Sequence, residues 1–191
     1  MSQSIVLVHG IFNSSYVFYS LKKILESKGL KCFAPDLKPL DGRKGIENWA
    51  LQLKKAINNE YGETKKITLI GFSMGGIVAR YYLQSLEGHK RIRSFITISS
   101  PHHGSYLAYL YPGKGTKQLR PGNDFLDNLE QGEELYQNIS VYSYWTPFDQ
   151  MIIPASSSVW KIANNKKYYC LFHLQMLFHK PLAEDICKNI V

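Results

Sequence analysis

The stretch ITLIGFSMGG, residues 67–76, constrains the fold more than any other part of the sequence. Its apolar, β-branched start predicts a strand that leads into the pattern G-x-S-x-G, and the apolar run 77–83 predicts a helix directly afterwards. A serine in such a turn has a strained backbone, so its neighbours two positions away have to be small, as Gly71 and Gly75 are. The sequence therefore predicts a nucleophile elbow with Ser73 at the positive N-terminus of the helix.

Strand and helix patterns alternate along most of the chain. Predicted strands cover residues 5–8, 31–34, 67–72, 92–98, 139–144 and 168–172. Apolar residues at helical spacing predict a helix between the second and third strands, and a final helix is expected from about Pro181. This alternation predicts the α/β class: a doubly wound, mostly parallel sheet of about six strands with helices on both faces.

Residues 104–137 interrupt this rhythm and are called the flap segment below. The segment contains the aromatic run Tyr106–Pro112, a turn-rich stretch and a short helical pattern around Phe125. It is either an irregular connection with one packed helix or a small flap whose Tyr and Leu side chains face an acyl chain. In both cases we expect one domain over residues 1–191.

Composition narrows the classes of partner and compartment. The 191 residues are 45% hydrophobic, enough for a sizeable core, and the net charge of +8 is spread over separated lysine and arginine pairs. That distribution favours solubility and weak attraction to an anionic membrane surface, and no basic, aromatic-rich module indicates nucleic-acid binding. Without a membrane-spanning run or a leader pattern, we expect a cytoplasmic protein, with a secreted form whose leader was removed as the alternative. The three cysteines are expected to be free thiols, and no cofactor or metal cluster is indicated.

A serine hydroxyl needs an imidazole to take its proton and a carboxylate to orient that imidazole. In doubly wound hydrolases these partners follow the serine in the order acid, then histidine. His173 and His179 come late enough, and His173 is favoured because it follows the last predicted strand. Asp149 follows the preceding strand among apolar neighbours and is the expected acid. Three other acids fit less well, because two begin a helix and one follows both histidines: Asp124, Asp127 and Asp185.

The transition state also requires two backbone N–H donors for the oxyanion. We expect one at Met74, directly after the nucleophile, and the other at Ile11 in the loop after the first strand. Phe12 and Phe72, next to these groups, are expected to line the substrate pocket. His9 is interpreted as a hydrogen-bonded structural residue.

With these residues in view, the sequence resembles small lipases and esterases of the α/β-hydrolase superfamily that lack a large cap domain. The pieces that carry this resemblance are Val8-His9-Gly10-Ile11, the elbow with Val78-Ala79-Arg80-Tyr81-Tyr82, Ser99-Ser100-Pro101-His102-His103-Gly104, Asp149 with Ile153-Pro154, and His173-x-x-Met176-Leu177. Two positions depart from the pattern: Phe72 stands where many such lipases have histidine, and Phe172 stands where a glycine commonly precedes the catalytic histidine.

The resemblance implies cofactor-independent hydrolysis of a small-molecule or lipid ester through an acyl-enzyme, with Ser73, His173 and Asp149 as the triad. Thioesterase or acyltransferase activity on the same scaffold is the alternative within enzymes. A binding protein that keeps the scaffold without the chemistry is the alternative outside them.

Overall fold

The computed structural model describes residues 3–190, so both limits of the predicted domain, at residues 1 and 191, lie outside the described residues. Six strands form one sheet: β1 (Ser4–Val8), β2 (Lys31–Phe33), β3 (Ile67–Phe72), β4 (Ile92–Ile98), β5 (Ser140–Trp145) and β6 (Asn164–Lys167). They are ordered β2-β1-β3-β4-β5-β6, and every neighbouring pair is parallel. The predicted doubly wound α/β sheet is therefore confirmed.

Helices cover both faces of this sheet. They are α1 (Tyr19–Ser27), α2 (Ile46–Tyr61), α3 (Met74–Ser85), α4 (Lys114–Gln118), α5 (Asp124–Glu130) and α6 (Lys180–Ile190). Because successive side chains of a strand point to opposite faces, β1 divides its residues between two cores. Ile5 and Leu7 pack with α1 and α6, whereas Val6 and Val8 pack with α2 and α3.

The strand order reverses between β1 and β3, which lie side by side although β2 separates them in sequence. Loops that leave such neighbours at their carboxyl ends diverge toward opposite faces and leave a crevice between them. The loop after β1 and the turn after β3 therefore border one crevice, where ligands bind in open α/β sheets.

One predicted strand is wrong in its position. Residues 168–172 are not a strand; β6 lies earlier, at Asn164–Lys167, where it pairs with β5 as the edge strand of the sheet. The apolar run that follows is a loop, and His173 begins a 3-10 helix, His173–Phe178, six residues after the sheet ends at Lys167.

The two halves of the flap segment are placed differently, and its role as a flap over an acyl chain stays a prediction. The second half, with α5 and the 3-10 helix Glu133–Tyr136, buries Leu126, Leu129 and Tyr136 in the core shared with α3. The first half, with the 3-10 helix Tyr106–Tyr109 and α4, forms one wall of a cavity next to the nucleophile turn.

Two further findings concern the whole described part of the chain. All three cysteines, Cys32, Cys170 and Cys187, are free thiols, as expected. Burial raises the pKa of the Cys32 thiol to about 12. Within residues 3–190 no helix has both the length and the apolar character needed to cross a membrane.

Candidate active site

Ser73 occupies the turn between β3 and α3 with φ 55° and ψ −129°, a conformation that L-residues rarely adopt. Its amide N–H donates to Ile98 O at 2.9 Å, which holds the turn against β4. The neighbouring glycines are needed for close approach: a Cβ on Gly75 would lie 2.2 Å from Val8 O, and one on Gly71 would lie 2.4 Å from Gly76 Cα. The predicted elbow is therefore present, and β1 and α3 press against it from both sides.

Asp149 and His173 lie together at the carboxyl edge of the sheet. His173 Nδ1 is 2.9 Å from Oδ1 and 2.8 Å from Oδ2 of Asp149. The carboxylate is buried and also accepts hydrogen bonds from the backbone N–H groups of Met151 and Ile152, so its position is fixed by its own loop. An imidazole that donates from Nδ1 to this carboxylate keeps Nε2 free to accept a proton.

The loop that carries His173 is held from two directions. The side-chain oxygen of Gln175 accepts from the backbone N–H groups of Leu171 and Phe172 at 2.8 and 3.3 Å. Gln150, one residue after the acid, donates to Leu171 O. The acid loop and the histidine loop are thus bound to each other, although they leave different strands.

Phe72 was expected to line the substrate pocket, but it borders neither of the cavities beside Ser73. It is fully buried, and its ring packs against the imidazole of His173 with a centroid distance of 4.7 Å. The reason is its position as the last residue of β3, which points its side chain toward the face occupied by α1 and α6. Phe12 is half exposed and does border the cavities beside Ser73.

The loop after β1 brings a backbone close to the nucleophile. A Cβ on Gly10 would lie 2.9 Å from Ser73 Cβ and 3.4 Å from its Oγ. The amide of Phe12 donates to Leu40 O at 2.7 Å, whereas the hydrogen bonds found within residues 3–190 give the amides of Ile11 and Met74 no acceptor in the chain. The assignment of these two amides as oxyanion donors stays a prediction.

His9 shapes this loop. Its Nε2 accepts from the amide of Leu37 at 2.9 Å, and its Nδ1 donates to Gly10 O at 2.9 Å. Burial lowers the pKa of this imidazole, which keeps it neutral and able to accept. The structural role predicted for His9 is the one that these contacts describe.

The Pro-His-His-Gly motif lies beside the site, and His102 is fully buried in it. Its ring stacks on Trp160 at 4.4 Å, and Arg80 lies over the same indole at 4.4 Å. Burial, and then the charge of Arg80, hold the pKa of His102 well below its usual range. Its Nε2 lies 3.0 Å from Thr97 Oγ1, so this histidine is packed between β4, Arg80 and Trp160.

The remaining candidates for the acid and the base lie elsewhere. Asp124 begins α5 after the cap residue Asn123, as predicted, and Asp127 is in the same first turn. Asp185, which is on α6, accepts hydrogen bonds from Lys166 and Tyr144. The ring of His179 packs on Tyr168.

Two cavities meet at Ser73. One, the flap cavity, has a volume of about 50 Å³ and lies under the first half of the flap segment. The other, the histidine cleft, has a volume of about 380 Å³ and contains His173 in its wall. Ser73, Ile11, Phe12 and Met151 border both. The side chains of Ser73 and His173 therefore border a common space.

Sequence reasoning missed Ser105, a buried residue of the flap segment. Its Oγ donates to Met151 O at 2.9 Å and accepts from the amide of Ile153 at 3.0 Å, so it joins the flap to the acid loop. A serine between two turns carries no sequence signal of this role. Among the described residues, no group of three or more His, Cys, Asp or Glu side chains is placed to hold a metal ion.

Comparison with known proteins shows which family the chain matches in sequence. Residues 4–151 match the model of the palmitoyl protein thioesterase family. That range includes Ser73 and Asp149 but ends before His173, so the pairing of His173 with Asp149 rests on the coordinates.

Curated relatives and a solved structure agree with the match. The chain is 27% identical over 177 residues to a lysosomal thioesterase PPT2 homolog of Drosophila melanogaster, covering 85% of this chain and 57% of that protein. It is 30% identical over 113 residues to a triacylglycerol lipase of Pseudarthrobacter phenanthrenivorans, covering 54% of this chain and 34% of that protein. The mature form of a Bacillus licheniformis lipase superposes with a TM-score of 0.78 at 18% identity, covering 97% and 92% of the two chains. The chain thus has the α/β-hydrolase fold, and it spans 57% and 34% of the length of these two curated relatives.

Proposed function

Because this chain belongs to the palmitoyl protein thioesterase family, we propose that it is a serine hydrolase that cleaves acyl esters and acyl thioesters through an acyl-enzyme. The observation that carries the proposal is the contact of His173 Nδ1 with both oxygens of Asp149, at 2.9 and 2.8 Å, in the wall of a cleft that also contains Ser73. A buried carboxylate paired with an imidazole beside a strained serine is an arrangement suited to nucleophilic acyl transfer.

In the first step, Nε2 of His173 takes the Oγ proton of Ser73 while Oγ attacks the acyl carbonyl carbon. The negative charge that develops on the carbonyl oxygen is stabilised by the amides of Ile11 and Met74, and Asp149 stabilises the imidazolium. The tetrahedral intermediate collapses when Nε2–H returns its proton to the leaving oxygen or sulfur. The alcohol or thiol departs and leaves the acyl group on Ser73.

In the second step, a water molecule gives a proton to Nε2 and attacks the acyl-enzyme carbonyl. The same amides hold the second oxyanion, and the proton then passes to Ser73 Oγ as the C–O bond breaks. The free acid is released, and the site returns to its starting protonation state.

The family match favours thioesters, whereas the lipase relative favours oxyesters. A thiol has a pKa near 8.5, far below that of an alcohol, so a thiolate leaves with less help from the imidazolium. We expect the protein to hydrolyse both kinds of bond and to prefer the thioester when the acyl group is the same.

The test combines covalent labelling with turnover. Wild-type protein should react with a fluorophosphonate probe and hydrolyse p-nitrophenyl butyrate and butyryl-CoA, while Ser73→Ala should do neither and should keep its unfolding transition. An exposed serine, Ser156, gives the matched control, because Ser156→Ala should label and turn over as the wild type does. Absence of labelling in the wild type would indicate a binding protein on this scaffold, and full activity in Ser73→Ala would refute the assigned nucleophile.

A further inference from the structure

We infer that Thr146, the residue directly after β5, is a positioning residue for the proposed reaction, and that its hydroxyl sets the contact between Asp149 and His173. The inference rests on the proposed function, because the distance between acid and base matters for turnover only if the pair activates Ser73. Thr146 lines neither of the cavities beside Ser73, so it acts through other residues and not on the substrate.

The pairing of β5 with β6 cannot continue past Pro147. The amide of Tyr168 donates to Trp145 O at 2.8 Å, which extends the ladder by one bond beyond the pair Trp145 and Lys167. In the same parallel register, the next donor on the β5 side is residue 147. Proline has no N–H, so the ladder stops there and the two chains leave the sheet.

The side chain of Thr146 joins the two chains at this point. Its Oγ1 donates to Cys170 O at 2.7 Å and accepts from the Cys170 amide at 3.2 Å, so one hydroxyl serves both backbone groups of one residue. Thr146 and Cys170 are fully buried, and Cys170 packs in the same cluster as Phe72. The hydroxyl therefore ties the loop of the acid to a fixed point of the core.

The contact between acid and base repeats this contact three residues later in both loops. Asp149 is the third residue after Thr146, and His173 is the third after Cys170, so the same separation of 24 residues applies to both pairs. All four of these residues are buried. Two exposed residues lie between the buried ones in each loop, namely Pro147 with Phe148 and Leu171 with Phe172.

The buried hydroxyl is harder to replace than the other link between these loops. Gln150, which donates to Leu171 O, is exposed, so water can take its place. Without the Thr146 hydroxyl, the N–H and C=O groups of Cys170 would be buried and would lose this partner, which is costly. These groups recover hydrogen bonds by moving toward water, and the short segment that ends at His173 moves with them.

Thr146→Val tests the hydroxyl, because valine keeps the shape of the side chain. We expect kcat for p-nitrophenyl butyrate to fall by about 10- to 100-fold, since small displacements of a reacting group cost that much. KM should stay within about twofold of the wild-type value, because no contact with substrate is removed. Thr146→Ser restores the hydroxyl without the methyl group and should bring kcat back to within about threefold of wild type.

Thr97→Val is the matched control. Thr97 is also fully buried, and its Oγ1 donates to Ser143 Oγ at 3.0 Å, between β4 and β5 and away from both loops. Both valine variants should lower the melting temperature, because each removes a buried hydrogen bond. Only Thr146→Val should lower kcat.

A second measurement follows the contact between acid and base without turnover. A proton that an imidazole Nδ1 donates to a carboxylate resonates at low field in ¹H NMR spectra, and Asp149→Asn identifies the signal of His173 by removing its acceptor. Thr146→Val should shift this signal upfield, because the hydrogen bond becomes longer. Thr146→Ser and Thr97→Val should leave it at the wild-type position.

The outcomes separate positioning from a structural role. Wild-type kcat and an unshifted signal in Thr146→Val, with a melting temperature lowered as in Thr97→Val, would overturn the inference. Equal losses of kcat in Thr146→Ser and Thr146→Val would also overturn it, because the methyl group would then be the cause. If Thr146→Val does not fold, Thr146→Ala and Thr146→Ser differ by the hydroxyl alone and make the same comparison. Absence of turnover in the wild type would refute the proposed function, whereas the NMR signal would still report whether the hydroxyl sets the contact.

Discussion

The ring of Phe72 packs on the imidazole of His173 with centroids 4.7 Å apart and planes inclined by 40°. The residue directly before the proposed nucleophile therefore supports the proposed base. Phe72→Leu should remove part of that support and lower kcat by about 10- to 100-fold, because small displacements of a reacting group cost that much. Steady-state kinetics with p-nitrophenyl butyrate measure the effect.

Phe95→Leu is the matched control for this change. Phe95 is equally buried on β4 but packs in the cluster on the other face. Both variants should lose about 1–3 kcal/mol of unfolding free energy, and only Phe72→Leu should lose activity. Equal kcat values in the two variants would show that the ring contact does not orient the imidazole.

The carboxylate of Asp149 selects the tautomer of His173. In Asp149→Asn the amide oxygen keeps the bonds from Met151 and Ile152, and the NH₂ group faces Nδ1. That contact favours the proton on Nε2, where it blocks acceptance from Ser73. We expect kcat to fall by about 10⁴-fold with little change in melting temperature. Asp185→Asn removes a carboxylate bonded to Lys166 and should lose stability while it keeps its activity; the opposite pattern would contradict the assigned acid.

Gly10 leaves room for Ser73. The Cβ of Gly10→Ala would lie 2.9 Å from Ser73 Cβ and 3.3 Å from Phe72 O, so the nucleophile and the Ile11 amide would move apart. We expect kcat to fall by about 10²–10³-fold, comparable to the loss of one oxyanion donor. Gly62→Ala tests the effect of alanine alone, because Gly62 has φ +69° and no neighbour within 4 Å; with ψ −172° its backbone lies in a region that favours glycine, so the change should reduce stability by about 1–3 kcal/mol and leave kcat unchanged. Retained turnover in Gly10→Ala would argue against the close approach as a catalytic requirement.

Two buried histidines make stability depend on pH. Burial lowers the pKa of His9 and His102 in the folded protein, so protons bind preferentially to the unfolded chain. Their stabilising contribution is present above the unfolded value of about 6.5 and decreases as the pH falls below it. The melting temperature should therefore drop between pH 7.5 and pH 5. His102→Gln should flatten this dependence, and the exposed His103→Gln should not; a constant melting temperature in wild type would refute the linkage.

Much of the fold could be predicted because periodicity reports burial directly. The apolar residues that fall at helical spacing in α2 are in the core, namely Ile46, Trp49, Ala50, Leu53 and Ile57, and β4 has the predicted limits. The last strand could not be placed in this way. β6 is the polar sequence NNKK at an edge of the sheet, whereas the run Tyr168–Phe172 is aromatic and apolar although it forms a loop beside the site. The hydrophobic periodicity of a sequence indicates which residues are buried, so it does not distinguish an exposed polar edge strand from a loop.

The residues of the candidate site, like the strands, could be predicted from the sequence only in part. The order of the residues in the chain and the positions of the strand ends predicted Ser73, Asp149 and His173 as candidates. In the structure, Asp149 and His173 are in contact. The role of Phe72 could not be read from the sequence, because its orientation depends on which face of β3 it occupies. Ser105 was missed for a related reason: a hydroxyl that joins two loops has no local pattern, since its partners are 46 and 48 residues away.

Because all strands of the sheet are parallel, the candidate site lies at one edge of the sheet, and the opposite edge is free for attachment. All the proposed reactive groups follow the carboxyl ends of strands, whereas the turn at residues 62–66 lies at the amino end of β3. The six residues of β3 separate these two ends of the sheet by about 20 Å. A fluorescent dye or a linker to a solid support attached at Thr64 therefore leaves the mouth of the site facing away from the attachment. An immobilised protein of this kind keeps its reactive face open to substrate from solution.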